Sequence, residues 1–191
     1  MPYLTGDELR QMGARFVGES VQISTKCSIY GIEQMSFGDF LRVDDFCILS
    51  GCLDIGRNVH IAAFCNVAGG EPGITIGDFS GLAYGVTIFA QSDDYSGKSL
   101  TNPTIPDCYK KEVKRAVRIE KHCIVGAHSI VLPGVNIAEG CAIGAMSMVT
   151  KSTETWGVYF GCPVRRLKSR SRELLVRCDE FLKLEETIVD I

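Results

Sequence analysis

An aliphatic residue returns at every sixth position along the second half of the chain. The series runs through Ile119, Val125, Val131, Ile137, Ile143 and Val149. A small or compact residue follows four positions after each of them, at Cys123, Ser129, Val135, Cys141, Ser147 and Thr153. Neither the 3.6-residue period of a helix nor the two-residue period of a strand sustains such a series. The pattern therefore predicts a structural repeat of six residues.

Earlier parts of the chain follow the same template in shifted phase. Its aliphatic and compact positions are filled by Ile23 and Cys27, Val43 and Cys47, Ile55 and Val59, Ile61 and Cys65, Ile76 and Ser80, and Leu82 and Val86. The phase shifts predict insertions at residues 31–36, 49–53, 68–75 and, longest, 91–118. A hexapeptide period is typical of a parallel β-helix, an all-β solenoid in which three short strands make one coil. About six coils fit between Val17 and Val149, and stacking them buries the aliphatic positions in continuous rows.

Both ends of the repeat are predicted to carry helices. Thr5 and Glu8 have capping-box spacing before Leu9, and Gly13 is suited to stop a helix, so a short N-terminal helix is expected. Residues 167–188 predict an amphipathic helix that covers the open end of the solenoid, with apolar residues at 167, 174, 175, 178, 181, 182 and 184. The chain thus divides into an N-terminal helical cap (1–16), a β-helix domain (17–164) with the inserted loop 91–118, and a C-terminal helix (165–191).

Composition and charge exclude several function classes. The 191 residues are 46% hydrophobic and 23% charged, which is ordinary for a globular protein. The formal charge of -3, from 20 basic and 23 acidic residues, gives no field that would attract nucleic acid. No uncharged apolar run approaches the roughly 18 residues needed to cross a membrane, and the first 15 residues lack the pattern of a signal peptide. We therefore expect a cytoplasmic protein without a membrane span.

The cysteines and histidines do not form a metal-site pattern. Nine cysteines occur without a CxxC pair, and five of them occupy the compact position of the repeat, at 27, 47, 65, 123 and 141. We expect these five to be buried as small apolar side chains. His122 and His128 are six positions apart, so they point from faces about 120° apart on a three-sided coil. Because a zinc site needs converging ligands, no metal is predicted.

The carboxyl-terminal repeats carry motifs that resemble a known family. The motifs are Val125-Gly126-Ala127, Leu132-Pro133-Gly134-Val135, Ile143-Gly144-Ala145, Val149-Thr150-Lys151 and Gly161-Cys162-Pro163-Val164-Arg165. In them the chain resembles the hexapeptide-repeat acyltransferases, the superfamily of galactoside and maltose acetyltransferases. The resemblance implies a left-handed β-helix, acetyl-CoA or another acyl-CoA as co-substrate, and a homotrimer with active sites between subunits. It also implies that Ala127 and Ala145 offer backbone groups to the pantetheine arm, and that the nucleotide end of CoA is held by Thr150, Lys151, Arg165 and Lys168.

The long loop departs from the galactoside-type pattern. Asp93 stands where those relatives carry a catalytic histidine, and no histidine lies between His60 and His122. The runs 90–97, 100–104 and 43–47 resemble a subgroup that acylates the amino group of nucleotide-linked amino-deoxysugars, including the dTDP-4-amino-4,6-dideoxyglucose acyltransferases. Members of that subgroup tend to carry serines just before the loop, where this chain has Ala83 and Tyr84. A hydroxyl that would support the oxyanion is therefore missing here.

The aspartate favours an amine as the acceptor. A sugar hydroxyl is nearly as weak an acid as water, with a pKa of about 15.7, so it needs a base such as histidine. An ammonium group with a pKa near the α-amino value of about 7.7 to 8.0 is partly deprotonated at neutral pH, so a carboxylate suffices. Asp93 is the predicted base and Asp94 the alternate. A turn-capping role for either aspartate stays open, as does the use of His60 from a neighbouring subunit.

Residues near the loop are candidates for binding the acceptor. These are Tyr84, Phe89, Tyr95 and Asn102, although Phe89 fits equally well in the core. The basic run Lys110, Lys111, Lys114 and Arg115 could meet phosphates or form a solvated loop. The predicted function is acyl-CoA-dependent N-acylation of a nucleotide-linked amino sugar for surface polysaccharide or O-antigen (lipopolysaccharide) synthesis. O-acetylation of a sugar hydroxyl is the first alternative, and a non-enzymatic β-helix scaffold is the second.

Overall fold

Short parallel strands stack into a solenoid with three faces. The computed structural model describes residues 2–189. Face 1 consists of Phe16–Val17, Met35–Phe37, the second half of Ile48–Ile55, the second half of Asn66–Ile76, Val117–Ile119 and Asn136–Ile137. Face 2 consists of Gln22–Ser24, Arg42–Val43, His60–Ile61, Gly81–Leu82, Ile124–Val125, Ala142–Ile143 and Gly157–Gly161. Face 3 consists of Ser28–Tyr30, the first halves of Ile48–Ile55 and Asn66–Ile76, then Thr87–Phe89, Ile130–Val131 and Met148–Val149. The predicted solenoid of six coils is confirmed, and Gly157–Gly161 adds part of a seventh.

The aliphatic positions of the repeat form continuous inner rows. On face 2, parallel pairing brings Val43 opposite Ile61, Ile61 opposite Leu82, and Leu82 opposite Val125. These side chains are at most 1% exposed. Of the five cysteines at the compact position, Cys27 is half-buried and the other four are buried. Since one coil cannot bury its own apolar side chain, each row is stabilised only by its neighbours above and below.

Two corners of the coil turn mostly through left-handed residues that are not glycine, with Gly140 and Gly85 as exceptions. The first corner, between faces 1 and 2, uses Ser20, Phe40, Asn58, Phe79, His122 and Trp156. The second corner, between faces 2 and 3, uses Phe46, Phe64, His128 and Met146. A left-handed conformation costs roughly 1–2 kcal/mol for such residues. Stacking between coils offsets part of that cost, with ring centroids 5.2 Å apart for Phe46 and Phe64 and 5.5 Å apart for Phe79 and His122.

All four predicted insertions fall at the third corner, between face 3 and face 1 of the next coil. They form the short 3-10 helix Ile32–Gln34, the irregular pairing around Gly51, the turn within Asn66–Ile76, and the long loop. The loop leaves and returns through an antiparallel pair, Gln91–Ser92 with Val113–Lys114, and contains the 3-10 helix Asp107–Tyr109. It ends before the predicted residue 118, because Val117–Ile119 already pairs with Ile74–Ile76 on face 1.

The N-terminal segment forms the predicted short helix. Helix α1 (Gly6–Gln11) has Thr5 as N-cap, and a capping box joins Thr5 and Glu8. Gly13 follows the helix with a φ of +100°. Leu9 is fully buried, so the helix covers the first coil. The strand Tyr3–Leu4 precedes it and pairs antiparallel with Gln22–Ser24. Met1 of the predicted segment 1–16 lies outside the described residues.

The C-terminal helix starts later, and lies elsewhere, than the sequence predicts. Residues Val164–Ser169 form a strand antiparallel to Gly157–Gly161, so helix α2 spans Glu173–Val189. The helix packs along the first corner, where Phe181 contacts Phe79 edge-on with ring centroids 6.2 Å apart. Glu185 forms a 2.6 Å ion pair with Arg57. The prediction that this helix covers the open end is therefore wrong. Residues 190 and 191 of the predicted segment 165–191 lie outside the described residues.

Close stacking makes one glycine hard to replace while a neighbour is free to change. A methyl group on Gly126 would collide with the backbone nitrogen of Ala145 and lie 2.7 Å from the carbonyl carbon of Gly144. The same group on Gly81, one coil below, would lie 4.0 Å from the nearest atom. We expect Gly126→Ala to lower the free energy of unfolding by about 1–3 kcal/mol and Gly81→Ala to leave it nearly unchanged. Denaturant unfolding of both variants tests this, and equal midpoints would contradict it.

Candidate functional site

The base of the long loop brings Asp93 into a small cavity. Asp93 directly follows the strand Gln91–Ser92 and is half-buried. One of its carboxylate oxygens accepts a 3.3 Å hydrogen bond from the backbone N–H of Asn102. A cavity of about 260 Å³ at this point is lined by Gln91, Ser92, Asp93 and Glu112. The structure thus brings together two of the predicted site residues, Asp93 and Asn102.

Asp94 has a different environment from its neighbour. Its carboxylate accepts hydrogen bonds of 2.9 Å from the backbone N–H of Ser96, 2.8 Å from the Ser96 hydroxyl and 2.9 Å from the Ser99 hydroxyl. These bonds, chiefly the one from the Ser96 hydroxyl, lower the pKa of Asp94 to about 2. A carboxylate so stabilised is a weak base. Asp94 therefore holds the loop in shape, and Asp93 is the better candidate for taking a proton.

The predicted acceptor-binding aromatic residues lie on both borders of face 3. Tyr84 is 62% exposed at the second corner, whereas Tyr95 is 93% exposed in the loop. Phe89 is half-buried at the end of the strand Thr87–Phe89, two residues before the loop begins. Asn102 caps its own turn by accepting hydrogen bonds from Thr104. Within one chain, Phe89 and Asn102 lie near Asp93, and Tyr84 lies across the face from it.

The basic run of the loop is largely neutralised by nearby carboxylates. The ammonium group of Lys110 lies 2.9 Å from Asp107 and 3.2 Å from Glu112, and its side chain is only 9% exposed. The hydrogen bond to Asp107 raises the pKa of Lys110. Lys114 lies 3.2 Å from Glu71 and 3.7 Å from Glu112. These two lysines hold the loop together, so a phosphate role for them is less favoured than the sequence alone suggests.

The predicted CoA residues form two groups at the borders of face 3. Ala127 and Ala145 occupy the same place on consecutive coils at the second corner, where the N–H of Met146 donates a 2.8 Å hydrogen bond to the carbonyl of Ala127. At the third corner, a cavity of about 170 Å³ is lined in part by Thr150, Lys151 and Arg165. Lys168 lies further along the strand Val164–Ser169 and is exposed, outside this lining.

His60 belongs to a hydrogen-bonded network on face 2. Its Nε2 lies 2.9 Å from one carboxylate oxygen of Asp44, and the other oxygen accepts a 2.8 Å hydrogen bond from Nε of Arg42. Asp44 is 8% exposed. Burial alone would raise the pKa of Asp44, but the hydrogen bonds from His60 and Arg42 outweigh it and hold this pKa below its usual value. Since Asp93 projects from the third corner, His60 and Asp93 do not meet within one chain.

Glu112 is a cavity residue that the sequence analysis did not identify. It lies within the basic run, of which the sequence points only to Lys110, Lys111, Lys114 and Arg115 as candidates. Its position near the end of the loop could have identified it. A loop that leaves and returns through paired strands places residues from its two limbs opposite each other. Glu112 and Asp93 both line the cavity at the loop base.

A larger cavity lies away from all these residues, between helix α2 and the first corner. It has a volume of about 540 Å³, and its lining includes Phe79, His122, Arg170 and Phe181. Burial lowers the pKa of His122, and the guanidinium of Arg170 donates to the carbonyls of His122, Gly140 and Cys141. Residues 2–189 contain no group of three side chains suited to hold a metal ion and no helix that could span a membrane. None of the described residues that line this cavity is a predicted site residue.

Comparison with known sequences finds acyltransferases. No family model matches the chain. The dTDP-4-amino-4,6-dideoxy-D-glucose acyltransferase of Escherichia coli is 40% identical over 178 residues, which cover 92% of each protein. The galactoside O-acetyltransferase of Lactococcus lactis is 43% identical over 65 residues, which cover 33% of this chain and 31% of that protein.

Solved structures agree with this result. AntD, an N-acyltransferase from Bacillus cereus in complex with dTDP and 3-hydroxybutyryl-CoA, superposes with a TM-score of 0.94 at 45% identity, over 96% of this chain and 98% of that one. The variant of AntD in which one serine is replaced by alanine, in complex with dTDP-4-amino-4,6-dideoxyglucose and coenzyme A, gives a TM-score of 0.93 at 46% identity. This superposition covers 95% of this chain and 97% of that one. A maltose O-acetyltransferase from Clostridium difficile, at 22% identity, a TM-score of 0.57 and coverage of 87% and 74%, shares the fold.

Proposed function

The chain belongs to the hexapeptide-repeat acyltransferases, in the branch that includes dTDP-4-amino-4,6-dideoxyglucose acyltransferase, and on this premise we propose that it acylates the amino group of a nucleotide-linked amino-deoxysugar. The acyl donor is acetyl-CoA or a somewhat longer acyl-CoA. The observation that carries the proposal is the half-buried carboxylate of Asp93 in the cavity at the loop base. The likeness to AntD in complex with an acyl-CoA or an amino sugar supports both substrates.

The proposed reaction is a direct attack without an acyl-enzyme. The amine nitrogen forms a bond to the thioester carbonyl carbon, and Asp93 accepts the proton that the nitrogen loses. The carbon–sulfur bond then breaks, which yields an amide and the thiolate of CoA, and this thiolate takes its proton from Asp93 or from water. Because Ala83 and Tyr84 stand where related enzymes carry serines, backbone N–H groups stabilise the oxyanion in this chain.

The proposed CoA position follows the two groups of residues at face 3. The pantetheine arm passes Ala127 and Ala145, whose small side chains let it lie against the backbone. The nucleotide end meets Thr150, Lys151, Arg165 and Lys168, since cationic side chains neutralise phosphate charge. The cavity beside Lys151 and Arg165 supports this placement. Tyr84, Phe89, Tyr95 and Asn102 then contact the sugar nucleotide.

We also propose that the enzyme is a homotrimer with active sites between subunits. At the second corner, Phe46 and Phe64 stack on each other and are 52% and 64% exposed. Met146, which directly follows the proposed pantetheine residue Ala145, is 70% exposed at the same corner. Exposed apolar side chains of this extent are typical of surfaces that associate. A partner subunit would also complete a site whose candidate residues lie on two borders of face 3. Measuring the mass in solution tests the trimer.

The proposed setting is the cytoplasm, in the synthesis of a surface polysaccharide such as O-antigen. The nine cysteines, all of which lie within residues 2–189, are free thiols, as is usual for proteins in a reducing compartment. An amide on a nucleotide-linked sugar is a product that a later glycosyl transfer would consume.

Thiol release from acetyl-CoA tests the function. The acceptors are dTDP- and UDP-linked 3-amino and 4-amino sugars, each beside its hydroxyl counterpart. We expect turnover only with amino sugars, because no histidine is among the residues lining the cavity at Asp93. Turnover of the hydroxyl sugars would contradict N-acylation.

One observation favours the alternative of O-acetylation. The buried Asp44 orients His60 as carboxylates orient catalytic histidines, and a partner subunit could bring His60 to the thioester. If the enzyme acylates hydroxyl groups, His60→Asn should abolish turnover, whereas Asp93→Asn should leave turnover unchanged. If it acylates amines, the effects of these two variants are reversed.

A further inference from the structure

The two limbs of the long loop bring a second carboxylate to Asp93. In the antiparallel pair at the loop base, Gln91 lies opposite Lys114 and Ser92 lies opposite Val113. Continuing this register by one residue places Asp93 opposite Glu112. Side chains directly opposite each other in such a pair share a face, with Cβ atoms about 4.5–5.5 Å apart. Both residues line the same cavity of about 260 Å³.

The loop provides cations for only one of the two carboxylates. Glu112 lies within ion-pair distance of both Lys110 and Lys114, at 3.2 and 3.7 Å. Asp93 takes part in none of the ion pairs found within residues 2–189, and its carboxylate accepts only the backbone N–H of Asn102 among the hydrogen bonds described. Like charges placed directly opposite each other are unfavourable. A positively charged group of a ligand would therefore interact favourably with Asp93.

We propose that Glu112 binds the substrate's amino group together with Asp93. This inference rests on the proposed function. The two carboxylates hold the ammonium form on arrival, and Asp93 takes one of its protons, which leaves the neutral amine that attacks. The nitrogen regains positive charge as its bond to the thioester carbon forms, and Glu112 stabilises that charge from the opposite limb. The carbon–sulfur bond then breaks, and the second proton of the nitrogen passes to the departing sulfur, which gives the amide and the thiol of CoA. Lys110 and Lys114 fix the position of Glu112 through their ion pairs with it, so they act as positioning residues.

Binding measurements on the whole enzyme separate this role from a structural one. The three ligands are dTDP-4-amino-4,6-dideoxyglucose, its 4-hydroxyl counterpart and dTDP, titrated by calorimetry into wild type and Glu112→Gln. We expect Glu112→Gln to weaken binding of the amino sugar about tenfold and to leave the other two within about twofold, because only the amino sugar is charged at this point. Thiol release should show the same loss as a raised KM for the amino sugar, with the KM for acetyl-CoA unchanged.

Glu71→Gln is the matched control. Glu71 forms an ion pair with the same Lys114, at 3.2 Å, but is 80% exposed and does not line the cavity. We expect no change for any ligand in this variant. If Glu112→Gln fails to fold, Glu112→Asp is the second variant, because it keeps the charge and shortens the side chain by one methylene group. We expect Glu112→Asp to weaken binding of the amino sugar but not of the other two ligands.

Two results would overturn the inference. One is unchanged amino-sugar affinity in Glu112→Gln, and the other is equal weakening of all three ligands, which indicates a structural role. Failure of the proposed function is distinguishable, since wild type would then acylate no amino sugar. An enzyme that acylates the amino sugar and tolerates Glu112→Gln would refute the role of Glu112 alone.

Discussion

Replacing Asp93 by asparagine should lower kcat for the amino sugar by about 100-fold or more. Asparagine has nearly the same shape, and its side-chain oxygen can still accept the hydrogen bond from the backbone N–H of Asn102, so the loop should stay in place. It cannot accept the substrate's proton, and general-base catalysis contributes typically about 10²–10⁴-fold. Steady-state thiol release from acetyl-CoA at saturating amino sugar measures the effect.

Asp107→Asn serves as the control for this experiment. Asp107 is a loop carboxylate paired with Lys110, its side chain is 97% exposed, and it is not among the residues lining the cavity. We expect its kcat to stay within about twofold of wild type. If Asp93→Asn is as active as wild type, Asp93 is not the base, and the proton must go to another group, such as the partner subunit's His60 or the departing thiolate.

Removing the aromatic ring of Phe37 should destabilise the fold strongly. Phe37 is fully buried, and it lies opposite Val17 and Ile55 in the inner row of face 1. Phe→Ala substitutions in protein cores cost about 3–5 kcal/mol, because burial is lost and a cavity remains. Denaturant unfolding at a fixed protein concentration measures this loss.

Phe16→Ala is the matched control for Phe37→Ala. Phe16 lies on the outer side of the same face, opposite Ser36, and is 55% exposed. We expect a change within about 0.5 kcal/mol. Equal destabilisation by the two variants would mean that the inner row is not the main source of stability in this part of the solenoid.

The inner rows could be predicted because they follow from one period. Each hexad places its aliphatic residue at the same angle of the coil, so the burial of Val43, Ile61 and Leu82 follows from spacing alone. The left-handed corner residues could not be predicted in this way. Phe40 and Phe79 are poor left-handed residues in isolation, and only stacking between coils keeps them there.

Helix α2 shows the limit of a periodic pattern. Leu167 fits the apolar series of the helix, yet it lies in a strand, because Val164–Ser169 pairs with the edge left by Gly157–Gly161. Amphipathic spacing identifies the apolar side of a helix but not the surface that receives it. Here that surface is the aromatic first corner. Its rings at Phe40, which is exposed, and Phe79, which is half-buried, appear in the sequence only as residues outside the repeat.

The site was predictable to different degrees. The importance of Asp93 came from resemblance, and the structure adds the reason for preferring it to Asp94, which the serines of the loop engage. Glu112 is far from Asp93 along the chain, and only the pairing of the loop's two limbs relates them. Local patterns carry no information on such a register, since it is fixed by where the chain re-enters the coil.

All four insertions lie at the third corner. The part of the fold that varies in length is therefore separate from the inner positions of the regular coils. Each coil can gain or lose residues there while its inner positions keep their alignment with the coils above and below, as the strands before and after the long loop show. Acceptor choice can therefore evolve by lengthening, shortening or exchanging one corner segment. The proposed pantetheine position, beside Ala127 and Ala145 at the second corner, is not altered by such changes.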